Sequence, residues 1–313
     1  MTTQPAAPTL FTPTLADRIQ TSLNAPVDPA VRAFAGELGE SAGALAVLFY
    51  GSNLRTGSLD GVLDFYVLLP GAVETGLWPR VSYHERDHDG ATPRAKVATM
   101  TLATFSQAAC GDLLDTTIWA RFVQPSALVW VRDDGSRETV AEAIAMAATT
   151  AAQFAAALGP ETGTAGDYWR GLFRATYNVE FRVEPPGREN QILEVNRQHF
   201  DGLFPLALKS GGIAVDRDDE LLRPQMPDSL RTTLRRAFDR RARWGRLYNL
   251  IRLLRASTTF DGAARYAAWK IERHTGVPVV LTPWRERHPV LAAPGVLWRV
   301  WRARRSAQRS LTP

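Results

Sequence analysis

The stretch from Leu48 to Leu69, LFYGSNLRTGSLDGVLDFYVLL, constrains this chain more than any other. An apolar run, Ala46 to Tyr50, stops at Gly51-Ser52. A short polar loop follows, and a second apolar run carries one acid, Asp64. Short apolar runs bounded by Gly and Ser read as strands. A Gly-Ser turn between two strands is ordinary hairpin punctuation. It is also what chemistry on a nucleotide's phosphates requires. Gly lets the backbone approach phosphate, and Ser adds a hydroxyl and an amide donor. A carboxylate on the neighbouring strand can hold Mg²⁺ against the same phosphates. On these residues alone both readings stand.

The rest of the chain bounds the choice. With 313 residues and 45% apolar content it can bury a substantial core, in one large domain or two modest ones. Cys110 is the single cysteine, so neither a disulfide framework nor a cysteine-based zinc site is expected, and a reducing cytoplasm fits. The first twenty residues show no basic and apolar leader pattern. No stretch nears the roughly 18 uninterrupted apolar residues of a membrane span.

Taken in order, residues 1–15 read as a flexible Thr- and Pro-rich lead-in, and Pro29 to Leu38 as a short helix. Residues 75–95 crowd His84, Glu85, Asp87, His88 and Asp89 together. On a helix His84 and His88 would share a face, as metal ligands do, but Gly90, Pro93 and the charge density favour a solvated loop near the site. Lys96 to Phe105 is β-prone, Asp112 to Gln124 helical, and Ala127 to Arg132 a strand. Ser136 is placed to cap an Ala-rich helix ending near Leu158. Asp167 to Arg182 starts as a helix and then turns extended. Gln191 to Ala207 reads as strand then helix. Ser229 to Arg255 is a strong helix with nine Arg against one acid, Asp239, and Phe260 to His274 is a second amphipathic helix. The expected fold class is α/β: a mixed sheet with helices, then a mainly helical, winged-helix-like part. The expected division is 1–163, 164–255 and a basic amphipathic segment 256–313.

Several blocks together resemble one family. Tyr50-Gly51-Ser52 and Asp64-Phe65-Tyr66 match an aromatic-Gly-Ser turn and a strand Asp-Phe. Lys96 heads a strand, and WARFVQP (Trp119–Pro125) keeps a helix-end Arg and a Pro. YNVEFR (Tyr177–Arg182) and TTFDGAARYAAWK (Thr258–Lys270) follow in order. In this pattern the chain resembles the mitochondrial-type CDP-diacylglycerol synthases. These are peripheral phosphatidate cytidylyltransferases of the translocator-assembly-and-maintenance group, within the nucleotidyltransferase superfamily. That group tends to lack the superfamily's paired strand acids, so Tyr66 in the second slot agrees with it. The sequence departs from it at Trp78 and the His84/His88 loop, and at Gln124-Pro125.

The resemblance implies roles. Tyr50, Gly51, Ser52 and Arg121 would bind the nucleotide, CTP. Asp64 would hold Mg²⁺, with Glu180 as second carboxylate, and Lys96 would neutralise phosphate charge. The reaction would convert CTP and phosphatidate to CDP-diacylglycerol and pyrophosphate, on the inner face of a membrane. Two alternatives accompany it: a nucleotidyltransferase with another phosphorylated acceptor, or a non-catalytic module on a transferase scaffold. The net charge of +5 is concentrated late, with seven Arg against one Glu in 284–313. Nucleic acid and an anionic bilayer both attract such a surface. Trp298, Arg299, Trp301 and Arg302 favour the bilayer over specific nucleic acid, because Trp prefers the headgroup zone.

Overall fold

A computed structural model describes residues 13–86, 92–180, 187–259, 262–287, 291–296, 298–299 and 302, with 188, 246–259, 263, 274 and 287 as backbone alone. Helix α1 (Leu15–Leu23) was not anticipated and follows the expected lead-in, of which residues 1–12 lie outside the described residues. Its signal was a capping box: the Thr14 side chain takes the Asp17 N–H, and the Asp17 carboxylate takes the Thr14 N–H at 2.9 Å. Helix α2 (Pro29–Ser41) is capped by Asp28 with Pro at its start. Strand β1 (Ala46–Tyr50) leads through Gly51 into a short helix α3 (Ser52–Thr56), and β2 (Leu63–Leu69) returns.

Within the expected loop 75–95 lies a strand, β3 (Arg80–Glu85). Of the crowd that argued for a loop, His84 and Glu85 belong to a sheet edge, where polar side chains are ordinary. Strand β4 (Arg94–Thr101) gives way to helix α4 (Leu102–Ala109) before Phe105. Helix α5 is only Thr117–Phe122. The buried Asp115 takes the Thr117 N–H at 2.6 Å and so closes off the stretch expected to be helical from Asp112. Strand β5 (Ser126–Val131) and helix α6 (Asp134–Leu158) follow. Ser136 is not the cap; it is buried in the first turn of α6.

Helix α7 (Ala165–Glu180) is helical throughout, opened by a second capping box between Thr164 and Asp167. The expected extension through Arg182 lies outside the described residues. Both α8 (Arg188–Val195) and α9 (Arg197–Ser210) are helices, so the β-branched look of QILEV does not decide its state. A hairpin, β6 (Val215–Asp218) with β7 (Leu221–Pro224), precedes α10 (Asp228–Thr259), α11 (Ala263–Thr275) and α12 (Pro283–Arg287).

The class is the mixed α/β one expected: a five-stranded sheet, order β3-β4-β2-β1-β5, then a mostly helical region. Strands β1 and β2 pair antiparallel, β2 and β4 parallel, and β3 and β4 antiparallel. Where a linear division at 163 and 255 was expected, the chain gathers into two discontinuous units. One holds Met1–Pro26, Phe105–Ala127 and Asp134–Gly245; the other holds Val27–Thr104, Leu128–Asp133 and Arg246–Pro313.

The first unit is built around α6, which packs against α1, α5, α7 and α9. By length and composition alone α6 could cross a membrane, yet most of it is buried among these helices. In the second unit α2 covers one face of the sheet. Its Phe34 ring lies 5.8 Å from Phe65, which lies 5.2 Å from Phe49. The opposite face carries the even-numbered residues of β1 and β2, and with them Asp64.

Candidate functional site

Strand register assembles the centre of the candidate site. Tyr50 pairs with Asp64, Asp64 with Lys96, and Lys96 with Tyr83. Directly paired residues stand on the same face of a sheet. One row across four strands therefore presents Tyr50, Asp64, Lys96 and Tyr83 side by side, away from α2. Asp64 is half-buried and Lys96 exposed.

Gly51 fits this row for two reasons. Its φ of +91° and ψ of −163° belong to a region that only glycine occupies readily. A Cβ there would also lie 3.2 Å from Asp64 Oδ2. The missing side chain thus lets the Gly51 backbone lie close against the carboxylate. Ser52 is exposed and opens α3, with its Oγ 3.3 Å from Asn53 Oδ1. Tyr66, two residues beyond Asp64 on the same face, is fully buried, and its ring lies 5.5 Å from that of Tyr50. The second-acid slot is occupied by a packing residue.

Asn53 was not anticipated. It is buried, and its amide donates to the backbone oxygens of Ser58 and Asp60, each at 2.8 Å. These bonds hold the loop between α3 and β2 as far as Asp60, four residues before Asp64 and three before β2 begins. The available signal was an Asn just after the Gly-Ser turn, ahead of a Gly- and Asp-containing loop.

The acidic crowd of 84–89 divides. His84 pairs with Ala95, which places it on the face opposite Asp64, and its ring nitrogen lies 2.8 Å from Ser82 Oγ. Glu85 accepts from the Tyr83 hydroxyl at 2.8 Å and pairs with Arg94 at 3.3 Å. Burial first, and then this bond to Glu85, push the Tyr83 phenol well above its ordinary pKa. Asp87, His88 and Asp89 lie outside the described residues. Among the described residues no three His, Cys, Asp or Glu side chains gather as a metal-holding group.

Glu180 and Arg121 belong to the other unit. Glu180 ends α7 and accepts the Thr116 hydroxyl at 3.0 Å, which ties it to the start of α5. Arg121 is half-buried in the last turn of α5. In the late segment Trp298 is 55% exposed and the Arg302 guanidinium lies 5.4 Å from its ring. Arg299 is exposed, and Trp301 lies outside the described residues.

Part of the arginine excess has a local explanation. Arg231 donates to the Ala156 carbonyl at 2.9 Å and Arg235 to that of Ala157 at 2.7 Å. Both satisfy open carbonyls at the C-terminus of α6, where a helix favours positive charge. Arg241 is buried, donates to the carbonyls of Ala237 and Gly111, and lies 5.1 Å from the Phe154 ring.

No protein-family model matches this chain, and no curated protein matches it.

Proposed function

We propose that the chain is a Mg²⁺-dependent nucleotidyltransferase that uses CTP and a lipid phosphate, phosphatidate, to give CDP-diacylglycerol and pyrophosphate. The observation that carries this reading is the row Tyr50–Asp64–Lys96 with the Gly51 backbone set close against the Asp64 carboxylate. It puts a carboxylate, a cation and a backbone able to approach phosphate on one sheet face. In the reaction an oxygen of the phosphatidate monoester forms a bond to the α-phosphorus of CTP. The bond to pyrophosphate breaks, and the acceptor's proton, where present, passes to solvent.

Mg²⁺ suits a site with one or two carboxylates completed by substrate phosphates and water. Asp64 fits that donor set, with the remaining positions left to substrate phosphates and water. The bound ion would neutralise charge developing on the phosphates. Lys96 adds positive charge to the same face, while Gly51 and Ser52 line the approach to Asp64. The exposed Trp298 beside Arg299 and Arg302 supports docking on an anionic membrane surface, as a water-insoluble substrate requires.

Purified chain incubated with CTP, Mg²⁺ and phosphatidate vesicles should release pyrophosphate and form CDP-diacylglycerol. Release with a soluble phosphorylated acceptor but not with phosphatidate would move the assignment to another transferase. Release with no acceptor tried, from a folded sample, would refute transfer.

A further inference from the structure

A cavity of about 280 Å³ opens beside the start of β2, lined by Asp60, Gly61, Thr92, Arg94, Trp269 and Arg273 among others. All belong to the unit that holds Asp64. Its wall is a cation–π stack: the guanidinium of Arg94 lies 5.4 Å from the Trp269 ring and that of Arg273 lies 5.2 Å from it. Stacking on an indole orients a guanidinium while leaving its edge donors available to an anion. The Arg94 charge is already shared with Glu85. Among the described residues no carboxylate forms an ion pair with Arg273. Gly61, at φ +95°, makes room for it, since a Cβ there would lie 3.2 Å from Arg273 Nη1. Asp60, the acid at the rim, is exposed, so water screens its offset.

We infer that this cavity is a phosphate-binding subsite, in which Arg273, steadied on Trp269 and seconded by Arg94, takes a phosphate group of a substrate. Arg94 stands two residues from Lys96 on the same strand and the same face, and Gly61 three residues before Asp64. A phosphate held here lies on the reacting side of the sheet. Two substrates carry that chemistry, the monoester of the acceptor and the polyphosphate of the nucleotide. The inference rests on the proposed reaction only for this source; binding is tested without turnover.

The full chain is titrated calorimetrically with sn-glycerol 3-phosphate in one arm and with CTP plus Mg²⁺ in the other. Arg273→Gln should weaken one arm roughly tenfold or more, as loss of a charge-assisted contact does. The affected arm identifies the source. Asp60→Asn should tighten the same arm, because it removes a like charge. Unchanged affinity of Arg273→Gln in both arms, or no binding of either probe to the natural chain, overturns the inference. Should Arg273→Gln not fold, Arg273→Lys keeps the charge, loses the planar fork, and should give an intermediate loss; no loss overturns the inference. A chain that makes no CDP-lipid yet loses probe affinity in Arg273→Gln refutes the reaction and keeps the subsite. Turnover with both arms unaffected does the reverse.

Discussion

Replacing Gly51 by Ala tests the centre of the site, because two separable costs meet there. The backbone at φ +91°, ψ −163° is a glycine region, and holding an L-residue in it costs about 1–3 kcal/mol. The new Cβ would stand 3.2 Å from Asp64 Oδ2, tighter than most real contacts, so the carboxylate must shift by a few tenths of an ångström. The first cost acts on stability. In a thermal melt it should lower the midpoint by about 2 °C or more for each kcal/mol. The second acts on the site, and affinity for CTP with Mg²⁺ should fall by about tenfold, near 1.4 kcal/mol. Gly57→Ala separates the two. Gly57 also has positive φ, +67°, but nothing lies within 4 Å of its Cβ position. It should melt earlier, by roughly 1–2 kcal/mol, and bind nucleotide normally. If Gly51→Ala melts like the natural chain, the backbone argument is wrong. If it melts early but binds CTP as well as Gly57→Ala does, Gly51 has no part in a nucleotide site.

Other perturbations have equally defined outcomes. Asp64→Asn should abolish Mg²⁺-dependent CTP binding with little change in melting; wild-type binding by this variant would favour a non-catalytic scaffold. Asn53→Ala removes both bonds to the 57–62 loop and should cost about 1–3 kcal/mol in urea denaturation, with faster hydrogen exchange confined to that loop. Burial, outweighing a bond to the Val123 carbonyl at 2.9 Å, lowers the His199 pKa below its ordinary 6.5. The unfolded chain then binds this proton first, so stability should fall as pH drops below about 6.5 until the lower folded value is reached. His199→Gln should flatten that slope in pH-dependent melts. Removal of 284–313 should weaken sedimentation with anionic vesicles, and leave soluble CTP binding intact; Trp298→Ala alone should lower vesicle binding in the same direction.

The parts of the fold legible in the sequence were those decided locally. β1, β2, β5, α2, α6 and α10 announce themselves by apolar period and by Gly or Pro at their ends. Helix α1 was equally legible through Thr14 and Asp17, but a Thr- and Pro-rich beginning masked it. Strand β3 was not, because an edge strand carrying Arg80, His84 and Glu85 has the composition of a loop until its partner β4 is known. QILEV of α8 carries no period strong enough to choose between strand and helix. Asp64 and Gly51 were visible as chemistry. The register that sets Lys96 beside Asp64, and the seat of Trp269 between Arg94 and Arg273, depend on strand pairing and packing that no local pattern records.

The same distinction bears on the charge of the chain. Read as a run, the arginines of α10 suggest an attraction to any polyanion. Placed in the fold, Arg231 and Arg235 finish the C-terminus of α6, and Arg241 is buried beside Phe154. Each carbonyl so satisfied is a group that would otherwise be left open at the end of a buried helix. Loss of Arg235 should therefore appear as instability of the α6 unit rather than as weaker anion binding. Arg273, exposed and without a carboxylate partner among the described residues, should show the opposite pattern: little change in melting and a loss of phosphate affinity. A melt and a phosphate titration on Arg235→Gln and Arg273→Gln together decide whether the charge of this chain is divided in this way. Equal behaviour of the two variants in both measurements would show that it is not.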